Sequence, residues 1–359
     1  MKILYVSRHF NHSGYIILEK LIENNIAIAA VLLHDDNDLF RKPFIRQLLL
    51  FFYKLKCFYY RCKPLKTIKS EMFLAKKNNI PILLTKSIKS DSFYEDLTKL
   101  NPDIIVLGGG WHELIPQRVY SYPKLGCINT HPSLLPEFRG TSITRWQVLH
   151  GVELSGSTIH YVDDKFDTGG VLSQKSTEVS PETTPQELFH QLGRVGAEIM
   201  IPLLRKFESE GKQNTYTVNH NSSYYKYFSR WKWNEEDLKI NWNESFKNIH
   251  FKILSNTQES YEYLGPIMEF NENSYFIRQS KLIEVSNQYV EFINGLSDNV
   301  IYIIDVDHSG SIILGRKNEK VCLVLIKIQK FNKWHKYRRS YFPNKLLEVK
   351  PKSKFFKNE

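Results

Sequence analysis

Apolar residues in the first hundred positions fall into two alternating textures. Short, nearly continuous runs at Lys2–Ser7, Ile26–Leu33, Pro81–Leu84 and Asp103–Leu107 read as strands buried on both faces. Between them, Tyr15–Asn25, Ser70–Asn78 and Asp91–Leu100 carry apolar residues at helical spacing. Strand and helix in alternation predict an α/β domain of Rossmann-like winding, a parallel sheet covered by helices. Farther on, the pattern predicts a strand at Cys127–His131, a helix at Ser142–His150, a strand at Gly156–Val162 and an amphipathic helix over Pro185–Phe207 opened by Thr183 or Thr184. The texture then changes. Ser209–Asn221 is polar and aperiodic, and beyond it one helix, Glu244–Ser255, is followed by short strands at Tyr275–Arg278, Asn299–Val306, Ser311–Leu314 and Val321–Gln329. The expected organisation is therefore a first domain over 1–208, a linker at 209–223, a smaller β-rich, OB-like domain over 224–330 and a tail over 331–359.

Composition adds limits. At 359 residues, with 42% hydrophobic and 13% aromatic residues, the chain has enough apolar material for two cores. Its longest apolar runs fall well below the roughly 20 residues that a membrane span needs. The first residues read as a strand and not as a signal peptide, and four cysteines show neither a disulfide framework nor a zinc spacing, so a cytoplasmic setting and no metal are expected. Where a dinucleotide fold places G-x-G-x-x-G after its first strand, this chain has Ser7-Arg8-His9-Phe10, which argues against a dinucleotide site.

The net charge of +11 is uneven. Nine Lys/Arg and no acid lie in 41–69, residues 330–359 are net +8, and the other 300 residues are net −6. Basicity thus belongs to an insert (38–69) and to the tail, which lowers the expectation of a nucleic-acid partner. Phe40–Lys56 reads as a basic, apolar helix opened by Pro43. Such a helix suits a lid, a homodimer contact, or a peripheral membrane contact through 40–62, and these remain alternatives.

Candidate chemistry concentrates in one stretch. A strand at Cys127–His131 puts Asn129 and His131 on one face at its carboxyl end, where open α/β sheets place ligands. A second strand and an acidic loop lead to Asp167. An amide donor, an imidazole and a carboxylate suit acyl transfer to an amine: Asn129 to donate to a developing oxyanion, His131 to take the amine proton or hold the oxyanion as imidazolium, Asp167 to orient His131. By spacing alone, a strand-end turn former, a core histidine and a turn aspartate are equally compatible.

The longer motif narrows this. Asn129-Thr130-His131-Pro132-Ser133-Leu134-Leu135-Pro136, with Phe138-Arg139-Gly140 and then Asp167-Thr168-Gly169, resembles the formyltransferase family that uses 10-formyltetrahydrofolate. The resemblance implies a Rossmann-like formyltransferase domain and assigns catalytic roles to Asn129, His131 and Asp167. It places the folate co-substrate against Gly108, Gly109, Gly110 and Trp111 and against the loop Val162, Asp163, Asp164 and Phe166. The members with glycinamide ribonucleotide, methionyl-tRNA and nucleotide-sugar acceptors all come into question. A second domain departs from the first. Glu137 and Thr141-Ser142-Ile143 depart from the second, whose basic insertion nonetheless matches the location of 41–69. The expected acceptor is a dTDP- or UDP-linked deoxyaminosugar of surface polysaccharide synthesis, with Arg139, Thr141, Arg145 and Trp146 as candidate acceptor contacts. Methionyl-tRNA and a non-catalytic binding module are the alternatives.

Overall fold

In a computed structural model of the chain, the residues described are 1–8, 11–35, 70–216, 227–231, 235–256, 266–270, 273–298, 300–307, 310–330, 351 and 353–357. The basic insert with Cys57 and Cys62, the later part of the expected linker and most of the basic tail lie outside them. The chain groups into two units. The first holds Met1–Ile143, Leu154–Val179 and Glu187–Arg230; the second holds Thr144–Glu153, Ser180–Gln186 and Trp231–Glu359. The chain therefore changes unit at Arg230, later than the polar segment suggested, after two earlier excursions.

The first unit is built on a seven-stranded sheet. Its strands are β1 (Ile3–Ser7), β2 (Ile28–His34), β3 (Ile82–Thr85), β4 (Ile104–Gly109) and β5 (Cys127–His131), then β7 (Leu154–Tyr161) and β8 (Val171–Glu178) beyond a two-residue strand β6 (Arg139–Gly140). The order is β3-β2-β1-β4-β5-β7-β8, parallel through β5 and antiparallel at β7 and β8. Side-chain alternation along β1 shows why the run is apolar throughout. Ile3 and Tyr5 enter one core with Ile17, Leu18 and Leu21 of the helix His12–Glu23 and Met200 and Leu204 of the helix Pro185–Glu210. Leu4 and Val6 enter the opposite core with Phe93 and Leu97 of the helix Asp91–Leu100. Both faces are covered, so neither accommodates polar residues. Strand β8 was not foreseen: it is a half-exposed edge of mostly polar residues without an apolar run.

Beyond β1, the buried carboxylate of Glu71 accepts from the Asn11 backbone N–H at 3.0 Å and from the Ser7 hydroxyl at 3.2 Å, which ties the start of the helix His12–Glu23 to the end of the strand.

The second unit is β-rich, as expected. It contains an antiparallel six-stranded sheet in the order β10-β11-β14-β13-β12-β15, formed by β10 (Ile267–Phe270), β11 (Asn273–Glu284), β12 (Val300–Val306), β13 (Ile312–Arg316), β14 (Val321–Lys330) and β15 (Ser353–Lys357). An OB-fold has five strands. The sixth here, β15, lies in the segment read as a tail and puts Phe355 into the core with Trp242, Phe246, Ile249 and Ile303. The excursion Thr144–Glu153 packs within this unit: a Cβ on Gly151 would lie 2.2 Å from the Phe251 ring. Among the described residues, no helix is long and apolar enough to cross a membrane.

Candidate active site

Strand β5 ends the parallel part of the sheet, and its period of two carries Asn129 and His131 to the same face. Antiparallel pairing with β7 sets Asn129 opposite His160 and His131 opposite Thr158. After β7 the chain turns back sharply. Gly169 passes so close to β7 that a Cβ there would lie 1.8 Å from the Tyr161 carbonyl oxygen. Within this turn Asp167 adopts φ 56, a left-handed conformation, and is buried.

His131 Nδ1 lies 3.3 Å from Asp167 Oδ1, and His131 Nε2 lies 2.8 Å from the Phe138 carbonyl oxygen. Both partners accept, so both ring nitrogens donate, and the arrangement describes an imidazolium. Burial pushes the His131 pKa down, but the Asp167 charge and hydrogen bond outweigh it and hold the value above that of an ordinary histidine. Burial raises the Asp167 carboxyl, yet the charge and hydrogen bond of His131 hold it well below the usual carboxylate range. Asp167 Oδ2 accepts from the Gly140 amide at 3.0 Å, which orients the carboxylate.

His160 is a site residue that the motif did not single out. Its Nδ1–H donates to the Tyr161 carbonyl at 2.8 Å, which leaves Nε2 to accept from the Asn129 amide nitrogen at 3.1 Å. One amide hydrogen of Asn129 is thereby engaged, which leaves the other open to a further acceptor. The signal was the pairing of β5 with β7, which sets the two residues opposite each other once both strands are drawn.

The turn after His131 is braced from beneath. Buried Thr158 donates to the Ser133 carbonyl at 2.6 Å and accepts from the Leu135 amide at 3.0 Å, and Gln174 Nε2 reaches both the Leu135 carbonyl at 2.7 Å and Thr158 Oγ1 at 2.8 Å. Gln174 comes from β8, so the unforeseen edge strand supports the turn that carries Phe138, Arg139 and Gly140.

For the expected folate residues, Trp111 and Val162 pack against one apolar cluster with Leu107. The Trp111 indole nitrogen is buried without a hydrogen-bond partner among the described residues, an orphaned donor that fits an acceptor on a flat heterocycle. Gly108 and Gly109 end β4, and Gly110 follows at φ 75. The Asp163 carboxylate is already engaged: it accepts from Thr168 Oγ1 at 2.8 Å and from the Lys165 amide at 3.2 Å, so it shapes the loop. Asp164 and Phe166 are exposed on that loop.

The expected acceptor residues divide. Arg139 and Thr141 flank the Gly140 amide that holds Asp167. The Arg139 guanidinium donates to the Phe166 carbonyl at 3.4 Å, and its buried Nε has no hydrogen-bond partner among the described residues. Arg145 and Trp146 belong to the second unit. Arg145 is buried and donates to the Ser255 carbonyl at 2.8 Å, while the Trp146 ring lies 4.5 Å from that of Trp231. Both therefore have internal packing partners. Among the described residues no cluster of His, Cys, Asp and Glu is arranged to hold a metal.

Residues 53–204 match the family model described as formyl transferase. The methionyl-tRNA formyltransferase of Syntrophus aciditrophicus (strain SB) is 35% identical over 188 residues, 52% of this chain and 58% of that protein. That of Acetivibrio thermocellus is 31% identical over 174 residues, 48% of this chain and 54% of its own length. The chain thus spans little more than half the length of these curated relatives. Among solved structures, the N-formyltransferase of Helicobacter canadensis in complex with folinic acid and dTDP-3-aminofucose has a TM-score of 0.63 at 17% identity, covering 92% of this chain and 100% of that one. WlaRD, a sugar 3N-formyl transferase solved with dTDP and 5-N-formyl-THF, has a TM-score of 0.61 at 19% identity, covering 93% and 98%. At these identities the likeness is one of fold.

Proposed function

We propose that this chain, whose residues 53–204 match the formyl transferase family model, is an N-formyltransferase using 10-formyltetrahydrofolate. The observation that carries this reading is the convergence of Asn129, His131 and Asp167, with His131 held between a carboxylate and a carbonyl. When bound, 10-formyltetrahydrofolate would supply a formyl group open to attack by an amine, the formyl bond to the folate nitrogen breaking as the new amide forms and the amine's proton passing to that departing nitrogen. Asn129 donates its second amide hydrogen to the formyl oxygen as negative charge develops there. His131, kept protonated by Asp167, adds positive charge beside that oxygen. Trp111 and Val162, with the backbone at Gly108–Gly110 and the loop over Asp163, Asp164 and Phe166, hold the pterin. A pKa well below the usual range keeps Asp167 ionised, so it orients the imidazolium without titrating during turnover.

For the acceptor, our reading is the primary amine of a dTDP- or UDP-linked deoxyaminosugar, met by Arg139 and Thr141 at the turn. Exposed Glu137 on the same turn, and a net charge of −6 outside the two basic segments, support a compact diphosphate over a polyanion. The fold likeness to two sugar N-formyltransferases over more than 90% of the chain supports it further. A homodimer, a cytoplasmic location and a role in O-antigen or other lipopolysaccharide synthesis belong to this reading. The second reading, methionyl-tRNA, is favoured by the 35% identity to a methionyl-tRNA formyltransferase. Incubating the full chain with 10-formyltetrahydrofolate and either a panel of nucleotide-linked aminosugars or charged initiator tRNA separates the two by mass. Formylation of the tRNA alone would reject the sugar. Replacing Asn129 with Ala is expected to lower kcat by roughly 100–1,000-fold, the cost of one oxyanion donor.

A further inference from the structure

Strand β9 (Tyr227–Phe228) pairs in parallel with β6, Arg139 opposite Tyr227 and Gly140 opposite Phe228. All four residues lie in the first unit. Phe228 grips the turn twice. Its carbonyl accepts from the Thr141 amide at 2.9 Å, and its ring stacks on Phe138 with centroids 5.1 Å apart and planes 16° apart. The fit is close: Gly140 adopts φ 115, and a Cβ there would lie 2.1 Å from the Phe228 carbonyl oxygen. Phe138 sits at φ 52, which a phenylalanine keeps only when its surroundings impose it.

The residues under this strap are those that hold the working pair. The Phe138 carbonyl takes the His131 Nε2–H, and the Gly140 amide donates to Asp167. Ser133 secures the near side of the turn, donating to the Glu137 carbonyl at 2.7 Å. On the far side, Phe228 supplies the matching constraint.

We propose that Phe228 is a positioning residue: by stacking on Phe138 and pairing at Gly140–Thr141, it fixes the turn that orients His131 through a carbonyl and Asp167 through an amide. The inference rests on His131 and Asp167 being the working pair of the formyl transfer proposed above. Among the described residues, the other ionisable groups around the pair are His160 on β7, whose ring centroid lies 6.5 Å from that of His131, Arg139 on β6, whose charge opposes protonation of His131, and Tyr227 on the strap, whose phenol is raised by burial and by Asp167.

The test replaces Phe228 in the full chain with Ala, Leu or Tyr, following formyl transfer and the His131 ring titration by NMR, its resonance identified by its loss in His131→Gln. In Phe228→Ala, kcat is expected to fall roughly 10–100-fold, the scale of a misplacement of about 1 Å. KM for the formyl donor stays unchanged, and the His131 titration moves to lower pH. Phe228→Tyr keeps the ring and restores both. Should Phe228→Ala not fold, Phe228→Leu is expected to show the same changes in smaller degree. A folded Ala or Leu variant with wild-type kcat and an unmoved His131 titration overturns the proposal, as does a Tyr variant as impaired as Ala. If the wild-type chain transfers no formyl group, the function falls, and the His131 titration alone still decides the role of the strap.

Discussion

His131 and Asp167 stabilise each other in opposite pH regimes. Because the folded His131 pKa lies above its ordinary 6.5, its contribution to stability is complete below about that pH and is lost as pH rises through the folded value. Asp167 is depressed below its ordinary 3.8, so its contribution is present above that value and is lost as pH falls through the folded one. The ion pair is therefore fully expressed between the two ordinary values and persists beyond both. Asp167→Asn removes the anion while leaving His131 buried, so burial then governs and the imidazole loses its proton more easily. The alkaline limb of the kcat–pH profile is expected to move down by about 1–3 pH units. An unmoved limb would show that His131 does not set it. At this scale the sequence showed Asn129 and His131 on one strand face, and the motif drew in Asp167, which the structure brings within 3.3 Å of His131. Less legible was the setting of Arg145, whose guanidinium is buried and donates to the Ser255 carbonyl.

Among the elements, the most readable were those whose burial is written into composition. The helix Asp91–Leu100 has a Ser90 side chain accepting from the Phe93 amide at 3.2 Å and presents Phe93 and Leu97 inward. Strands β1, β2 and β4 show as apolar runs because helices cover both faces. Strand β8 and the strap β9 do not show: one is a polar edge, and the other is two residues long and paired with a turn distant in sequence. Yet these two brace the Phe138–Gly140 turn, so an element's legibility and its importance to the site are unrelated here. The turn into Asp167 is equally constrained, by the passage of Gly169 against the Tyr161 carbonyl. Gly169→Ala forces that backbone apart and is expected to cost about 1–3 kcal/mol in urea denaturation, with a loss of activity exceeding the loss of folded protein. Unchanged stability would mean that the turn relaxes freely.

Across the whole molecule, the net charge of +11 is a poor guide to the site, because 41–69 and 330–359 carry the excess while the residues around His131 carry both signs. The second unit is held by its own core, and the last described strand belongs to it. Phe355 is 7% exposed and stacks on Phe270 at 4.9 Å, with Trp242 edge-on at 5.2 Å. Phe355→Ala is expected to destabilise that unit by about 3–5 kcal/mol in chemical denaturation. A chain shortened before Ser353 should show a similar loss, whereas full stability in either variant would make β15 dispensable.

The sequence by itself determined the alternation of strands and helices, the change to a β-rich second part, and the placement of Asn129 and His131 on one strand face, because side-chain period and burial are local properties of the chain. Only the tertiary structure decided that His160 lies beside Asn129, that a carbonyl and a carboxylate together hold the proton on His131, that Gly140 orients Asp167, and that the Arg145 guanidinium reaches the Ser255 carbonyl. Those partners are backbone groups and distant side chains. A backbone amide or carbonyl is the same at every residue and so leaves no mark in the sequence until the fold aims it.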